Sequence, residues 1–386
     1  MKIGIFTDTY EPQINGVVTS IQTSIEFLKK NHSVYVFCPN VKPKIASTDT
    51  VWRFPSVVYP FQKEYRLVLP FNKKLKKIKD LNLDILHIHT PFTMGNIGLK
   101  IGQKLNIPIV HTYHTFFEKY LHYFPILPEA WVYKYAKKES EKFCNQCDKI
   151  IVPTNEMKDQ LSKYDIQKEL ITIPSGINVY EPSRQEITSF KKLHMRESKF
   201  NCLFVGRVGL EKNIYFLIRA FSEIISTIQN CHLTIIGDGP ERETVEKKVK
   251  SMGLTDNVTF TGYLNKKQVY SAYHAADLML FPSKTETQGL TAVESIMCGT
   301  PVIGLNEMGV KNVVKNKASG ILTKECISEY STAAIQLLQN EKLRKSMSEK
   351  ASILGQEYSY LTTSKKLEEL YEEIVVNTPP AKNPFP

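Results

Sequence analysis

The chain has 386 residues, 42% hydrophobic and 23% charged, a globular composition long enough for two domains of ordinary size. No apolar run reaches membrane-spanning length, no lipidation motif is present, and Met1-Lys-Ile-Gly-Ile-Phe6 enters a strand directly. A transmembrane helix, a lipid anchor and a signal peptide are therefore not expected.

The net charge of +11 is uneven, with 24 Lys/Arg against 16 Asp/Glu in residues 1–180 and 26 against 23 in residues 181–386. A basic first half suits an anionic membrane surface or a nucleic acid. Nucleic acid would call for a reading module, and the sequence has none, so it is not an expected partner. The seven cysteines are scattered and read as reduced thiols. Cys144 and Cys147 have metal-like spacing but no second pair to complete a tetrahedral site, so both are expected in a helical core.

In chain order, strands and helices alternate. Ile3–Phe6 reads as a strand, followed by a helix opened by Gly16 and running to Leu28. Further strands are predicted at 33–37, 84–89, 107–113, 149–153 and 170–174, with helices at 94–105 and about 128–147. Around 174–186 the pattern breaks into Pro-Ser-Gly and Glu-Pro-Ser, a linker composition. A second alternating series follows. Its strands are predicted at 201–205, 233–236, 258–260, 278–281 and 301–303, and its helices at 213–227, 240–251 and 290–298. Helical patterns at 327–339, 341–354 and 362–375 close the chain, and the proline-rich 377–386 is expected to be a loose tail. The fold class is α/β. The predicted architecture is two Rossmann-like, doubly wound domains facing across a cleft, 1–178 and 179–357.

The stretch with most chemistry is Ser283-Lys-Thr-Glu286-Thr-Gln288-Gly289-Leu290-Thr291-Ala-Val-Glu294. A buried strand feeds a polar loop, a glycine and a helix N-terminus. Backbone amides of Gly289, Leu290 and Thr291 and the helix dipole then favour an anion such as phosphate. Glu286 and Glu294 flank that place and are suited to neutral hydroxyls. In Gly206-Arg207-Val-Gly-Leu-Glu211-Lys212 another strand ends in glycines and two cations, a diphosphate clamp in principle. Gly16 and Val17 open the first helix, where backbone can approach a phosphate. The pattern is not Gly-x-Gly-x-x-Gly, which argues against a nicotinamide dinucleotide. Gly237-Asp-Gly239 reads as a structural strand–turn–helix junction. His114 ends the fourth strand, while His87 and His89 share one face of its neighbour and read as structural. No Asp-x-Asp triad is present, so no metal and no cofactor are expected.

The seven-residue interval between Glu286 and Glu294, and the Gly-Arg-x-x-x-Glu-Lys segment at 206–212, resemble the signature of retaining glycosyltransferases of family 4, which have the GT-B fold. The resemblance implies that Glu286 meets the donor sugar and Glu294 the nucleotide ribose. It gives Arg207 and Lys212 the leaving diphosphate, His114 an active-site role, and places the nucleobase near Gly262-Tyr263-Leu264. Gln288 is included among the donor contacts. The resemblance also implies that the helix at about 358–376 packs back on the first domain.

The whole chain is similar to bacterial 1,2-diacylglycerol 3-glycosyltransferases, through Phe6-Thr-Asp-Thr-Tyr-Glu-Pro-Gln-Ile-Asn-Gly16, the His111-Thr-Tyr-His114-Thr run, and Gln288. The implied reaction is transfer of glucose or galactose from a UDP-sugar to diacylglycerol with retention, on the inner face of the cell membrane from the cytoplasm. Lys73, Lys74, Lys76 and Lys77, with Phe116, Phe117, Tyr120, Tyr123 and Phe124, are expected to meet the membrane or acceptor. Alternatives are a phosphatidylinositol mannosyltransferase, an enzyme extending a surface polysaccharide, or a non-catalytic nucleotide-sugar sensor.

Overall fold

A computed structural model describes residues 1–41, 44–58, 66–69, 73–114, 128–195 and 199–378, without the side chains of Lys73 and Glu129. The chain divides into two compact units. One runs from Met1 to Gly176 and resumes at Tyr360; the other is Ile177–Ser359. The crossovers fall two residues from the expected 178/179 and 357/358 boundaries.

In the first unit, strands β1 (Lys2–Phe6), β2 (Ser33–Pro39), β3 (Val51–Phe54), β6 (Ile85–Ile88), β7 (Ile109–Thr112), β8 (Lys149–Val152) and β9 (Glu169–Thr172) form one parallel sheet. Its order is β3-β2-β1-β6-β7-β8-β9. The short strands β4 (Ser56–Val58) and β5 (Arg66–Val68) pair antiparallel beside it. Helices α1 (Gly16–Leu28), α2 (Lys73–Lys76), α3 (Thr93–Leu105), α4 (Glu129–Cys144) and α5 (Asn155–Leu161) connect the strands. β6 is buried on both faces, as its near-continuous apolar run predicts for a parallel strand covered by helices.

In the second unit, β10 (Phe200–Val205), β11 (Cys231–Ile236), β12 (Val258–Gly262), β13 (Leu278–Phe281), β14 (Val302–Leu305) and β15 (Gly320–Thr323) lie in the order β12-β11-β10-β13-β14-β15, all parallel. Helices α6 (Arg184–His194), α7 (Ile214–Thr227), α8 (Arg242–Ser251), α9 (Lys266–Ala275), α10 (Leu290–Met297), α11 (Val310–Val313), α12 (Ile327–Gln339) and α13 (Glu341–Gly355) surround them. α7 presents Leu217, Phe221 and Ile224 at the helical interval, all fully buried against the sheet. Each such side chain contributes roughly 1.5–3 kcal/mol of burial.

Both sheets have a point where strand order reverses, between β1 and β6 and between β10 and β13. In doubly wound sheets ligands bind at such points, outside the carboxyl ends of the strands. The last helix, α14 (Tyr360–Asn377), belongs to the first unit. Its Leu367, Leu370, Tyr371 and Ile374 pack with Ile21 and Leu28 of α1 over the sheet.

The stretch read as linker is partly helix. Ser183 caps α6 in a reciprocal box with Glu186, two groups that satisfy each other's orphan amides. β3 and β15, short edge strands, and the short helix α5 were not predicted. Cys144 and Cys147 are buried thiols.

Candidate active site

The second unit carries most of the candidate residues at its reversal point. β10 ends at Val205 and hands over to Gly206 and Arg207. β13, its neighbour, ends at Phe281 and hands over to the loop with Glu286. The 3-10 turn Leu210–Lys212 stitches these two segments together. Its Glu211 carbonyl accepts from the hydroxyls of Ser283 (3.3 Å) and Thr285 (3.4 Å). That seam brings the Lys212 ammonium into direct contact with Glu286 Oε1. The side chains are only 19% and 15% exposed, so little solvent screens the pair. Arg207 is half-buried, and its Nε is covered.

The Glu286 loop is held from a second side. Gly309 donates its amide to the Glu286 carbonyl at 2.9 Å, and a Cβ at 309 would lie 2.4 Å from the Thr287 carbonyl. Gly289 then enters α10 at φ +87°, with Phe281 3.3 Å from where a Cβ would stand, so only glycine makes this turn without strain. Gly289 has no side chain with which to cap α10, and a helix start of this kind suits an incoming anion. Leu290 packs on the core and Thr291 is half-buried. Gln288 is 3% exposed, a buried amide rather than a surface one.

Glu294 lies one turn into α10. Its carboxylate accepts from Tyr273 at 2.8 Å and from Tyr270 at 3.5 Å, both on α9. Burial raises its pKa, and the tyrosine bonds pull the other way. Tyr270 and Tyr273 have no motif in sequence; their spacing of three, which places both on one side of a helix, was the available signal. Gly262 lies at φ +73°, bridged to Gly237 at φ +129°, where a Cβ would collide with the Gly206 carbonyl at 2.0 Å. The expected structural role of Gly237 follows from this close backbone approach. Tyr263 is exposed and donates to the Asp238 carbonyl at 3.3 Å, while Leu264 packs on the core.

Gly16, Val17 and His114 belong to the first unit. Asn15 caps α1 by accepting from Val18 N at 3.0 Å and ties back to Thr9 Oγ1 at 2.8 Å. Gly16 is exposed in that first turn, and Val17 packs on the core. His114 Nε2 and His89 Nδ1 share a hydrogen bond of 2.8 Å. His87 bonds Tyr371 and Thr112, and His111 bonds the Ile88 carbonyl at 2.8 Å. Burial lowers the pKa of all four, to about 3 for His114 and about 4 for His111. His114 is therefore a neutral hydrogen-bonding ring at ordinary pH.

Asp8 was not singled out in sequence. Its buried carboxylate accepts from Thr90 (2.7 Å), Thr93 (2.6 Å) and Met94 N (2.8 Å). The N-cap residue of α3 is Phe92, which has no side-chain acceptor, so Asp8 caps that helix from the next loop. Among the membrane candidates, Lys74, Lys76 and Lys77 are exposed. The side chain of Lys73 and all of Phe116, Phe117, Tyr120, Tyr123 and Phe124 lie outside the described residues.

Comparison with known proteins adds to this geometry. Residues 185–353 match the family described as glycosyl transferases group 1, and residues 14–181 match Glycosyltransferase Family 4. The chain is 34% identical to the alpha-monoglucosyldiacylglycerol synthase of Acholeplasma laidlawii, over 97% of this chain and 98% of that one. It is also 34% identical to the enzyme of the same name from Streptococcus pneumoniae, over 83% and 75%. The solved structure of Anabaena HepE in complex with UDP and glucose has a TM-score of 0.76 at 16% identity, covering 97% of this chain and all of that one.

Proposed function

This chain belongs to glycosyltransferase family 4, has the GT-B fold and is a hexosyltransferase of the glucosyldiacylglycerol-synthase type; we propose that it moves glucose from UDP-glucose to the 3-hydroxyl of 1,2-diacylglycerol with retention of the α-configuration. The observation that carries the proposal is the Lys212–Glu286 contact at the β10/β13 reversal, beside the N-terminus of α10, which Gly289 opens. A cation and a helix N-terminus suit the departing diphosphate, and a carboxylate next to them suits the sugar hydroxyls. The full-length identity to glucosyl enzymes supports glucose over galactose and diacylglycerol over other acceptors. The nucleotide reading is supported by a fold neighbour that holds UDP and glucose.

In the proposed reaction the bond from sugar C1 to the diphosphate oxygen breaks as the acceptor oxygen bonds C1 from the same face. The acceptor proton passes to the departing phosphate oxygen. Arg207, Lys212 and the α10 amides meet the negative charge as it develops, which is where a fixed electrostatic site accelerates reaction. Glu294, held by its two tyrosines, accepts from the ribose hydroxyls. His114 offers a neutral ring nitrogen to a sugar hydroxyl. Arg207, Lys212 and the α10 amides supply the positive charge without a divalent ion, so EDTA should leave the rate unchanged.

The deciding experiment supplies purified protein with diacylglycerol in mixed micelles and radiolabelled UDP-glucose or UDP-galactose. An α-glucosyl lipid, with the anomer read by proton coupling, is the expected product. A β-linked product, or no lipid product with either donor, would overturn the proposal.

A further inference from the structure

Glu325 was not singled out in the sequence, and the reaction described above leaves it unused. It lies just past β15, between that strand and α12, with its side chain 40% exposed. Its Oε1 accepts from Asn213 Nδ2 at 2.9 Å and from Lys284 Nζ at 2.8 Å, and its Oε2 accepts from the same ammonium at 2.8 Å. The bonds from Lys284 lower its pKa, which keeps it an ionised acceptor at neutral pH. Asn213 is the residue after Lys212, and Lys284 stands two before Glu286. One carboxylate on a third strand end thus joins the two segments that carry the Lys212–Glu286 contact. The same segments also meet directly. The Glu211 carbonyl accepts from the Ser283 and Thr285 hydroxyls, and Asn213 Nδ2 reaches the Pro282 carbonyl at 3.4 Å. Asn213 turns the chain from the 3-10 turn into α7 at φ 56°, a left-handed conformation that asparagine tolerates, so its amide is held at the junction.

We propose that Glu325 is a positioning residue. Its shared oxygen sets the separation of the Asn213 and Lys284 segments, and through them the register of Lys212 against Glu286. It acts through those two neighbours and not by contact with the donor. A pair this exposed is screened by solvent and contributes little to stability, so stability is not what the arrangement provides. Geometry is, because a misplacement of about 1 Å at a reacting group costs about 10²-fold in rate. The effect on turnover rests on the transferase reading above; the effect on the Lys212–Glu286 contact does not.

Glu325→Ala should lower kcat by roughly tenfold, with the KM for UDP-glucose within about threefold of the parent and the urea midpoint little changed. Glu325→Gln puts a carbonyl oxygen where Oε1 stands and should recover most of the loss. Asn213→Gly keeps the left-handed turn and removes the amide, so it should slow turnover as Glu325→Ala does. A second readout needs no substrate. The coupling between Lys212 and Glu286 is read from urea unfolding of Lys212→Met, Glu286→Gln and the double variant. It should shrink by about half or more when that cycle is repeated with Glu325→Ala. Unchanged coupling, full activity in Glu325→Ala, or a glutamine variant as slow as the alanine variant overturns the proposal. So does a loss of activity that the unfolded fraction accounts for in full. If the parent protein makes no glycolipid while the coupling shrinks, the transferase reading fails and the positioning role stands.

Discussion

Lys212 and Glu286 touch across 74 residues of sequence, and each is a counter-charge to the other. In the proposed reaction the pair would hold a cation for the diphosphate and a carboxylate for the sugar in one preformed place. On that proposal a diphosphate arriving at Lys212 would share the ammonium with Glu286 instead of drawing it from water. Lys212→Met and Glu286→Gln should each lower kcat/KM by about 10²–10³. Each should also cost roughly 1–3 kcal/mol of stability, because one charge is left without its partner in a poorly solvated site. The double variant should lose less than the sum in both measures. Steady-state kinetics and urea unfolding of the four proteins test this cycle, and strict additivity would mean the two act separately.

The His89–His114 bond makes a second prediction. His89 fixes the ring plane of His114 and decides which of its nitrogens carries the proton. His89→Phe should lower kcat by about 10- to 100-fold, the scale of a misplaced contact, with the KM for UDP-sugar little changed. His89→Asn, whose amide can occupy the Nδ1 position, should restore most of the loss. A purely structural role would instead lower stability and leave kcat per folded molecule intact.

The alternating strands, the two units and the acidic and basic motifs were legible because each is a local pattern. Gly289 marks a turn and Glu286 follows a strand whatever surrounds them. What pairs with what was not legible. His89 read as structural because alternation gives only its face; the parallel register that sets Ile88 beside His111 brings β6 and β7 close enough for His89 to reach His114. Asp8 escaped notice because its partners lie 82 to 86 residues away. The helix at Arg184 was hidden by Pro182, although Ser183 and Glu186 spelled its capping box.

Acid should destabilise the protein earlier than its carboxylates alone would dictate. His87, His89, His111 and His114 have pKa values lowered by burial, so between about pH 6.5 and 4 the unfolded chain takes up protons that the native state refuses. Stability then rises with pH through that window and is lost as pH falls below about 6.5. The slope is about 1.4 kcal/mol per pH unit for each histidine that stays neutral. Asp8 and Glu294, whose pKa values are raised by burial, act oppositely. Their contribution is full below the unfolded carboxyl range and fades as pH rises through the native pKa. The histidines outnumber them, so the net slope should be positive. Urea midpoints measured from pH 7.5 to 5 would show it, and a flat profile would mean the cluster is already protonated or solvated.

Gly309 tests whether Glu286 must be held from behind. Its backbone is at φ −61° and ψ −24°, a conformation alanine adopts freely, so Gly309→Ala carries no conformational penalty. Its new Cβ would nonetheless stand 2.4 Å from the Thr287 carbonyl and 2.7 Å from the Gln288 amide. Backbone cannot rotate away as a long side chain does, so the loop carrying Glu286 must shift and the 2.9 Å bond from Gly309 N to the Glu286 carbonyl must lengthen. The cost should be about 1–3 kcal/mol, as for overpacking elsewhere in a dense interior. Activity should fall further than stability explains, by about 10²-fold in kcat, because the displaced carboxylate no longer meets Lys212 and the sugar in register. Gly253→Ala is the control: Gly253 sits at φ +70° with open space around it, so the substitution strains the backbone without touching the loop. It should lose comparable stability and keep its kcat.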